Sequence, residues 1–245
     1  MLDEPNAVAL ETLAVLAERT GVQPSAIVRF AKSFGFDGAS QMQRLFRDGL
    51  ISGSTTLGYS ERVREFTRSV DRTAVGDPAQ VLAEFIEGNI LSLRNLGEVI
   101  DAAAMQAAVQ LIVAADTVYV AGFRRSFPVA AYLAYSLHQA DKKTVLIDGI
   151  GGLMRQQVHA ISRRDLLIAV SYQPYAEETV HMVEAAVAHQ CPILAISDSL
   201  VSAVAKPANQ VLQVREAEIR KFRSLSSSMC LAQALAIAYA FAASR

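Results

Sequence analysis

The chain has 245 residues, of which 52% are hydrophobic, and a formal net charge of −1. This length accommodates one sizeable hydrophobic core and a smaller domain, and the composition excludes an intrinsically disordered protein. The near-neutral charge excludes a polycationic protein, so any contact with nucleic acid must be made by a local surface. Cys191 precedes a predicted strand and Cys230 lies in a predicted buried helix, which favours reduced thiols and a cytoplasmic location.

The first predicted elements are two helices joined by a short turn within residues 13–36. Ala17 lies in the first helix, and Gly21 follows four residues later in the turn. The small side chain of Ala17 lets the two helices cross closely, and Gly21 lets the turn adopt an unusual backbone conformation. Pro24 suits the first turn of the second helix. The pattern assigns Leu13, Leu16, Val22, Ile27 and Phe30 to the inner face, and Ser25, Arg29 and Lys32 to the outer face of the second helix, which Gln23 directly precedes.

This spacing is typical of proteins that place the second helix in the DNA major groove. The outer residues Gln23, Ser25, Arg29 and Lys32 are therefore candidate contacts to double-stranded DNA. An ordinary helical hairpin has the same small residues at its crossing, and this alternative stays open. Residues 1–50 carry five basic and six acidic side chains, so one such unit would bind DNA weakly and would need a second unit on the same oligomer.

A change of composition separates this unit from the rest of the chain. Residues 51–78 are rich in Ser, Thr, Gly and charge and end in the breaker Gly76-Asp77-Pro78, which predicts a linker. From Ala79 the pattern predicts helices over 79–95 and 102–114 and then five apolar strands, at 117–122, 144–148, 166–171, 192–197 and 210–214. Apolar strands that alternate with helices predict a five-stranded parallel sheet covered on both faces.

The apolar run at the end of the chain, from Ser227 to Ala243, is shorter than the roughly 20 residues that a membrane-spanning helix needs. It predicts a helix buried inside the protein or at a subunit interface. A membrane helix is the alternative interpretation.

Polar side chains follow the first predicted strand. Gly122 leads into a helix through Arg124, Arg125 and Ser126. Free N–H groups at a helix start and guanidinium groups attract anions, so this turn predicts a site for phosphate or carboxylate. In the alternative interpretation Ser126 only caps the helix and the arginines face solvent.

A second polar loop follows the third predicted strand. Ser171 and Gln173 can donate hydrogen bonds to sugar hydroxyls or phosphate, and Tyr175 offers a ring face or a hydroxyl. Glu178 can accept from ligand hydroxyls, although an acid at a helix start also offsets the helix dipole without any ligand. Because parallel strands bind ligands at their carboxyl ends, the two loops predict one shared pocket.

The stretch LAERTGVQPSAIVRFAKSFGFDG, residues 16–38, resembles the helix-turn-helix signature of the RpiR family of bacterial transcription regulators. Residues 105–243 resemble that family's sugar isomerase (SIS) domain. The resemblance implies a small all-α DNA-binding head at 1–50, in which the first family helix is mostly missing. It also implies a three-layer, flavodoxin-like αβα domain at 79–245 that forms a homodimer or homotetramer and binds phosphorylated sugars.

The family's phosphate-binding patterns are only partly kept. Ser126 matches the serine of Gly-x-Gly-x-Ser, but Arg124 replaces the second glycine. Ser171 and Glu178 match the ends of Ser-x-Ser-Gly-x-Thr-x-Glu, while its inner Ser, Gly and Thr are replaced by Gln173, Pro174 and Ala176. The replacements remove hydroxyl donors and a backbone N–H. Arg124 and Arg125 can restore anion binding by charge, so we expect a phosphorylated or acidic sugar-derived effector.

The leading hypothesis is a transcription regulator, not an enzyme, whose effector domain passes a signal to paired DNA-binding heads. The first alternative is a sugar-phosphate isomerase, for which Glu178 is the one candidate base. The four histidines, His138, His159, His181 and His189, fall in predicted helices. The second alternative is a sensing and dimerisation module whose head does not bind DNA. The sequence contains no P-loop, nucleophile elbow or metal-ligand spacing, so no cofactor, metal or catalytic residue is predicted.

Overall fold

The structure of the protein, a computed structural model, describes residues 13–33, 36–43 and 78–244. The chain divides into two compact units, Met1–Thr55 and Thr56–Arg245. The predicted linker, apart from Pro78, and the short start of the chain lie outside the described residues. Their assignment therefore stays a prediction.

In the smaller unit, helix α1 (Leu13–Thr20) and helix α2 (Pro24–Ser33) are joined by a turn of three residues. Gly21 has a φ of +67°, and its N–H donates to the carbonyl of Glu18 at 3.2 Å. A side chain at Gly21 would meet no atom within 4 Å. The left-handed backbone conformation, and not close packing, is therefore what favours glycine at this turn.

The core of the smaller unit is compact but differs from the predicted inner face. Ile27 and Ala31, four residues apart, form the buried side of α2. Val22 and Phe30 are each 44% exposed, so their assignment to the inner face was wrong. Phe30 precedes Ala31 by one residue, which turns it by about 100° around the helix, and Val22 lies in the turn. The buried cluster consists of Leu16, Ala17, Ile27, Ala31, Ala39 and Met42.

The larger unit begins with two helices, α3 (Pro78–Val99) and α4 (Ala102–Ala114). The Asp101 carboxylate caps α4 by accepting the N–H of Ala104 at 2.7 Å. Strands and helices then alternate: β1 Val118–Ala121, α5 Phe127–Gln139, β2 Thr144–Ile147, α6 Met154–His159, β3 Leu166–Ser171, α7 Glu177–Ala188, β4 Ile193–Ser197, β5 Gln210–Gln213, β6 Glu218–Ile219, β7 Phe222–Arg223 and α8 Ser226–Ala243.

Strands β1 to β5 form one parallel sheet in the order β2-β1-β3-β4-β5, which confirms the predicted five-stranded sheet. Val118 of β1 lies opposite Thr144 on one side and Leu166 on the other. The chain leaves β1 toward β2 and later returns to the other side of β1 as β3. The strand order thus reverses between β1 and β3, and the carboxyl ends of these two strands flank the usual ligand crevice of such sheets.

The sheet is covered on both faces because its strands are apolar on both faces. Leu166, Ile168 and Val170 of β3 pack with α4, α5 and α8 in one core. Leu167 and Ala169, which alternate with them, pack with α6 and α7 in a second core. The predicted three-layer αβα architecture is therefore present.

Helix α8 is the one helix within the described ranges that by itself is long and apolar enough to cross a membrane, while α3 and α4 qualify only as a pair bent by 83°. Leu231, Leu235 and Tyr239 of α8 are buried in the core with α4 and α5. One side of α8 is therefore a core surface, as expected for an internal helix.

The two cysteines differ in their surroundings. Cys230 lies on the exposed side of α8, so its predicted burial was wrong, because an amphipathic helix buries only one stripe of residues. Cys191 is buried before β4, and burial raises the pKa of its thiol to about 11. Neither cysteine forms a disulfide.

Candidate ligand-binding site

Two loops meet at the carboxyl edge of the sheet, where the strand order reverses. The β1 loop comprises residues 122–126 and the β3 loop residues 172–178. The Arg124 guanidinium contacts the Glu178 carboxylate across the crevice, and the Arg125 Nη2 donates to the carbonyl of Gln173 at 3.5 Å. The structure thus brings the two sequence-predicted loops together.

Gly122 lets helix α5 approach the end of β1 closely. A Cβ at Gly122 would lie 2.8 Å from the Cβ of Ala130 and 3.1 Å from the carbonyl oxygen of Ser126. Both neighbours belong to or lead directly into α5, and neither is the end of a flexible side chain. The close approach fixes where the β1 loop enters the helix.

Arg124 has an unusual backbone conformation, with a φ of +56°. The left-handed region costs a non-glycine residue about 1 kcal/mol or more. Arg124 stands where the resembled pattern has its second glycine, and the positive φ gives the physical reason for a glycine there. The arginine accepts backbone strain and adds a guanidinium at the mouth of the crevice.

The Arg124 guanidinium is already engaged by the protein itself. Its Nη2 lies 3.3 Å from Oε2 and 3.4 Å from Oε1 of Glu178. The Arg124 side chain is 65% exposed and that of Glu178 is 36% exposed, so the pair is well solvated and weak. A bound anion would therefore compete with Glu178 for Arg124 at small cost.

Ser126 is buried at the end of a short 3-10 turn that leads into α5. Its side chain makes no capping hydrogen bond to that helix. The alternative interpretation, in which Ser126 serves as a cap, is therefore wrong for this conformation. Its hydroxyl remains a candidate donor at the start of α5, where the helix dipole favours negative charge.

Asp198, which directly follows β4, accepts two hydrogen bonds from the β3 loop. The Gln173 N–H donates to Asp198 Oδ2 at 3.0 Å, and the Tyr175 hydroxyl donates to Asp198 Oδ1 at 3.0 Å. Burial and the nearby Asp198 charge raise the pKa of Tyr175 to about 12, so the phenol remains a donor. The peptide bond between Gln173 and Pro174 is cis. Ser171 is buried at the end of β3, beside these groups.

Asp198 also forms a buried ion pair with Arg223 of the β6–β7 hairpin. Arg223 Nη1 donates to Asp198 Oδ2 at 3.1 Å, and the two side chains are only 3% and 9% exposed. The Arg223 Nη2 is buried and has no hydrogen-bond partner among the residues that the structure describes. Sequence reasoning missed Asp198 because it considered the loops after the first and third strands. The same strand-end rule applied to β4 would have found it.

The start of helix α8 already holds a carboxylate of the chain itself. Glu216 is buried and accepts the N–H of Ser227 at 3.2 Å and that of Ser228 at 2.6 Å. Free N–H groups and the helix dipole stabilise the negative charge there. Ser227 and Ser228 are fully buried and serve these internal contacts.

Among the residues that the structure describes, the two crevice loops contain no histidine and no group of side chains suited to bind a metal ion. Within the described ranges no group of three or more His, Cys, Asp or Glu side chains could hold a metal ion. His159 and His181 line a shallow cavity of about 240 Å³ between α6 and α7, outside the two loops. His159 also contacts His189 edge to face, with ring centroids 6.4 Å apart.

Comparisons with known proteins agree with this fold. Residues 111–238 match the protein family described as SIS domain. The sugar isomerase domain of the RpiR transcription factor from Sphaerobacter thermophilus is 25% identical, with a TM-score of 0.65 over 67% of this chain and 92% of that chain. The Vibrio vulnificus NanR protein complexed with ManNAc-6P is 19% identical, with a TM-score of 0.61 over 98% of this chain and 83% of that chain.

A curated relative has a longer chain. The Bifunctional protein glk from Paraburkholderia xenovorans (strain LB400) is 22% identical over 223 residues, which are 90% of this chain and 32% of that protein. The chain therefore spans about a third of the length of the curated relative that it matches.

Proposed function

The chain belongs to the SIS domain family, and from this membership we propose that it is a DNA-binding transcription regulator of the RpiR type. Residues 1–50 bind a double-stranded DNA operator, and residues 79–245 bind a phosphorylated or acidic sugar-derived effector. The linker at 51–78 connects these two parts of the chain. A regulator of this type works in the cytoplasm, where its operator DNA is located.

The observation that carries this proposal is the presence, in one chain, of a polar helix surface suited to DNA and an anion-compatible crevice in a SIS domain. Ser25, Arg29 and Lys32 are exposed on α2, and Gln23 is exposed in the turn with Gly21 that joins α2 to α1. Such a second helix is the element that enters the major groove in helix-turn-helix proteins. The similarity to NanR extends over 98% of the chain, which supports the same order of units.

The effector class follows from the groups at the crevice. Ser126 and Ser171 offer hydroxyls, Arg124 and Arg125 offer positive charge, and Glu178 can accept from sugar hydroxyls. The NanR relative is complexed with ManNAc-6P, a phosphorylated sugar derivative. Gln173 and Tyr175 belong to the site because Asp198 fixes their loop at the crevice edge.

The regulator is proposed to be a homodimer or homotetramer. Helix α3 exposes Leu82, Ile86 and Leu91, and α8 exposes Ile237 and Phe241. Large apolar side chains that are exposed on these two helices are suited to contact with a second copy of the chain. Pairing would place two DNA-binding units on one oligomer and raise their joint affinity.

Fluorescence anisotropy of labelled operator candidates tests the proposal. The full chain should bind DNA from its own upstream region more tightly than a scrambled duplex, and a sugar phosphate should shift that affinity by about fivefold or more. Replacing Arg29 and Lys32 by Ala should weaken binding and reduce its salt dependence. Lys206→Ala, which removes one exposed charge from the larger unit, is the control and should bind as the original chain does.

Two results would replace this proposal. Equal weak binding to both duplexes, with effector binding intact, would identify a sensing module without an operator. Turnover of a sugar phosphate, followed by proton NMR and abolished by Glu178→Gln, would identify an isomerase with Glu178 as its base. The solvated pairing of Glu178 with Arg124 favours the binding role instead.

A further inference from the structure

One face of helix α3 contacts residues 215–228, which we call the bridge segment. The face consists of Glu84, Gly88 and Ser92, spaced four apart and therefore aligned along the helix. The Glu84 carboxylate pairs with the Arg220 guanidinium, whose Nη2 donates to Oε1 at 2.7 Å. A Cβ at Gly88 would lie 2.8 Å from the Ile219 side chain, so the helix and the β6–β7 hairpin are in close contact.

Ser92 makes the innermost of these contacts. It is the one buried residue of α3, all of which the structure describes. Its hydroxyl donates to the carbonyl of Arg215 at 2.9 Å and shares a hydrogen bond of 2.6 Å with the Ser227 hydroxyl. A buried hydroxyl is destabilising without partners, and this one has two on the bridge segment.

The bridge segment is also connected to the β3 loop by hydrogen bonds. The hydroxyls of Tyr172 and Ser228 share a buried hydrogen bond of 2.5 Å. Arg223 pairs with Asp198, which in turn accepts the N–H of Gln173. Two independent connections therefore run from the ligand-facing loop to the bridge segment.

Glu216 makes the bridge segment internally rigid at the point where both sets of contacts meet. Its carboxylate accepts the N–H groups of Ser227 and Ser228. Ser227 faces the hydroxyl of Ser92, and Ser228 faces the hydroxyl of Tyr172. Linked hydrogen bonds in a buried, low-dielectric environment reinforce one another, so a displacement at one end alters the balance at the other.

We propose that the bridge segment couples effector binding at the β3 loop to helix α3, which begins where the predicted linker ends. This inference rests on the proposed function and assigns its route of regulation. An effector that repositions the β3 loop changes the contacts of Tyr172 and Asp198 with the bridge segment, and thereby those of Ser92 and Glu84. Coupling requires that the effector favours one of two arrangements of these contacts.

Hydrogen–deuterium exchange of the full chain tests the coupling. The probes are a panel of hexose, pentose and N-acetylhexosamine phosphates and of sugar acids, with inorganic phosphate as the anion control. With the tightest-binding member, amide exchange in peptides covering Pro78–Val99 should change in the original chain. In Ser92→Ala the effector affinity should stay within about twofold, while the change in α3 exchange is lost.

A second variant and a matched control keep the test decisive. Glu84→Gln weakens a partly exposed contact without opening a buried space, so it should fold and should reduce the α3 response. Glu87→Gln makes the same change at an exposed position of the same helix and should keep the full response.

The outcomes distinguish a failure of the proposed coupling from a failure of the proposed function. Effector binding with an α3 response that Ser92→Ala and Glu84→Gln both retain overturns the coupling and leaves the proposed function standing. Effector binding with no α3 response in the original chain overturns the coupling in the same way. Binding of no panel member above the phosphate control overturns the proposed effector class and the coupling together.

Discussion

The two loops at the crevice are held in opposite ways. In the β1 loop the exposed Arg124 has a positive φ and contacts the β3 loop through a solvated ion pair, and Arg125 adds a long hydrogen bond of 3.5 Å to the Gln173 carbonyl. The β3 loop is fastened from beneath by Asp198 and by the buried hydroxyl of Tyr172. The difference teaches that the β3 loop is preformed by the core, whereas the β1 loop supplies an adjustable cation above it.

The largest expected effect comes from breaking the anchor of the β3 loop. Asp198→Asn removes the negative charge that compensates the buried Arg223, and should lower the free energy of unfolding by about 3 kcal/mol. Urea unfolding measures the change. Asp116→Asn, which breaks an exposed ion pair with Arg164, is the control and should cost less than about 0.5 kcal/mol. Equal costs for the two variants would contradict a buried anchor.

Gly122→Ala tests the close approach beneath the β1 loop. The added methyl group overlaps Ala130 and the carbonyl of Ser126, and should lower the free energy of unfolding by about 2 kcal/mol. Gly97→Ala is the control, because no atom lies within 4 Å of its added Cβ and alanine favours a helix. A neutral Gly122→Ala variant would show that the loop yields more easily than its packing indicates.

The Tyr175 contact gives the β3 loop a pH dependence. Because the folded pKa of about 12 lies above the model-compound value of 10.0, the stabilisation is fully present below pH 10 and is lost as the pH rises toward 12. The stability difference between the original chain and Tyr175→Phe, about 1.5 kcal/mol at neutral pH, should shrink across that range. Urea unfolding in a pH series measures it, and a constant difference would contradict the prediction.

The strain in the β1 loop predicts a smaller effect of opposite sign. Arg124→Gly should raise the free energy of unfolding by about 1 kcal/mol relative to Arg124→Ala, because both variants lose the ion pair and only glycine accepts the positive φ freely. Thermal and urea unfolding of the two variants isolate the backbone term. Equal stabilities would mean that the loop relaxes out of the left-handed region when the guanidinium is removed.

The smallest expected change in stability belongs to Glu178→Gln, below about 0.5 kcal/mol, since the pair with Arg124 is solvated. Its effect on binding is more informative. Because Glu178 is proposed to accept from sugar hydroxyls, Glu178→Gln should weaken the binding of a sugar phosphate, measured by calorimetry, whereas Glu177→Gln should leave it unchanged. Tighter binding in Glu178→Gln would show instead that this carboxylate only competes with the ligand for Arg124.

The sheet could be predicted because its strands are continuous apolar runs, and both crevice loops were found because they follow two of those strands. The β6–β7 hairpin could not be predicted. Its turn residues Arg220 and Lys221 have φ values of +52° and +65°, and such turns are normally signalled by Asn or Gly. The exposure of Val22, Phe30 and Cys230 was also missed, since hydrophobic periodicity does not fix the edges of a buried stripe.

The ion pairs at the crevice could not be predicted from the sequence for a different reason. Arg124 was expected to be available to a ligand, but the fold places Glu178 within 3.3 Å of it although 54 positions separate them in the chain. Asp198 and Arg223 are likewise separated by 25 positions. Contacts of this kind depend on tertiary structure, which local pattern does not encode.

The face of α3 that carries Ser92 has a practical consequence for dissecting the protein. The family match begins at residue 111, well after this helix. A fragment trimmed to 111–238 would leave the Arg215 carbonyl and the Ser227 hydroxyl without the Ser92 hydroxyl that they bond, and would uncover the Ile219 side chain. A fragment that keeps these contacts must include α3, and boundaries drawn from the family match alone would remove it.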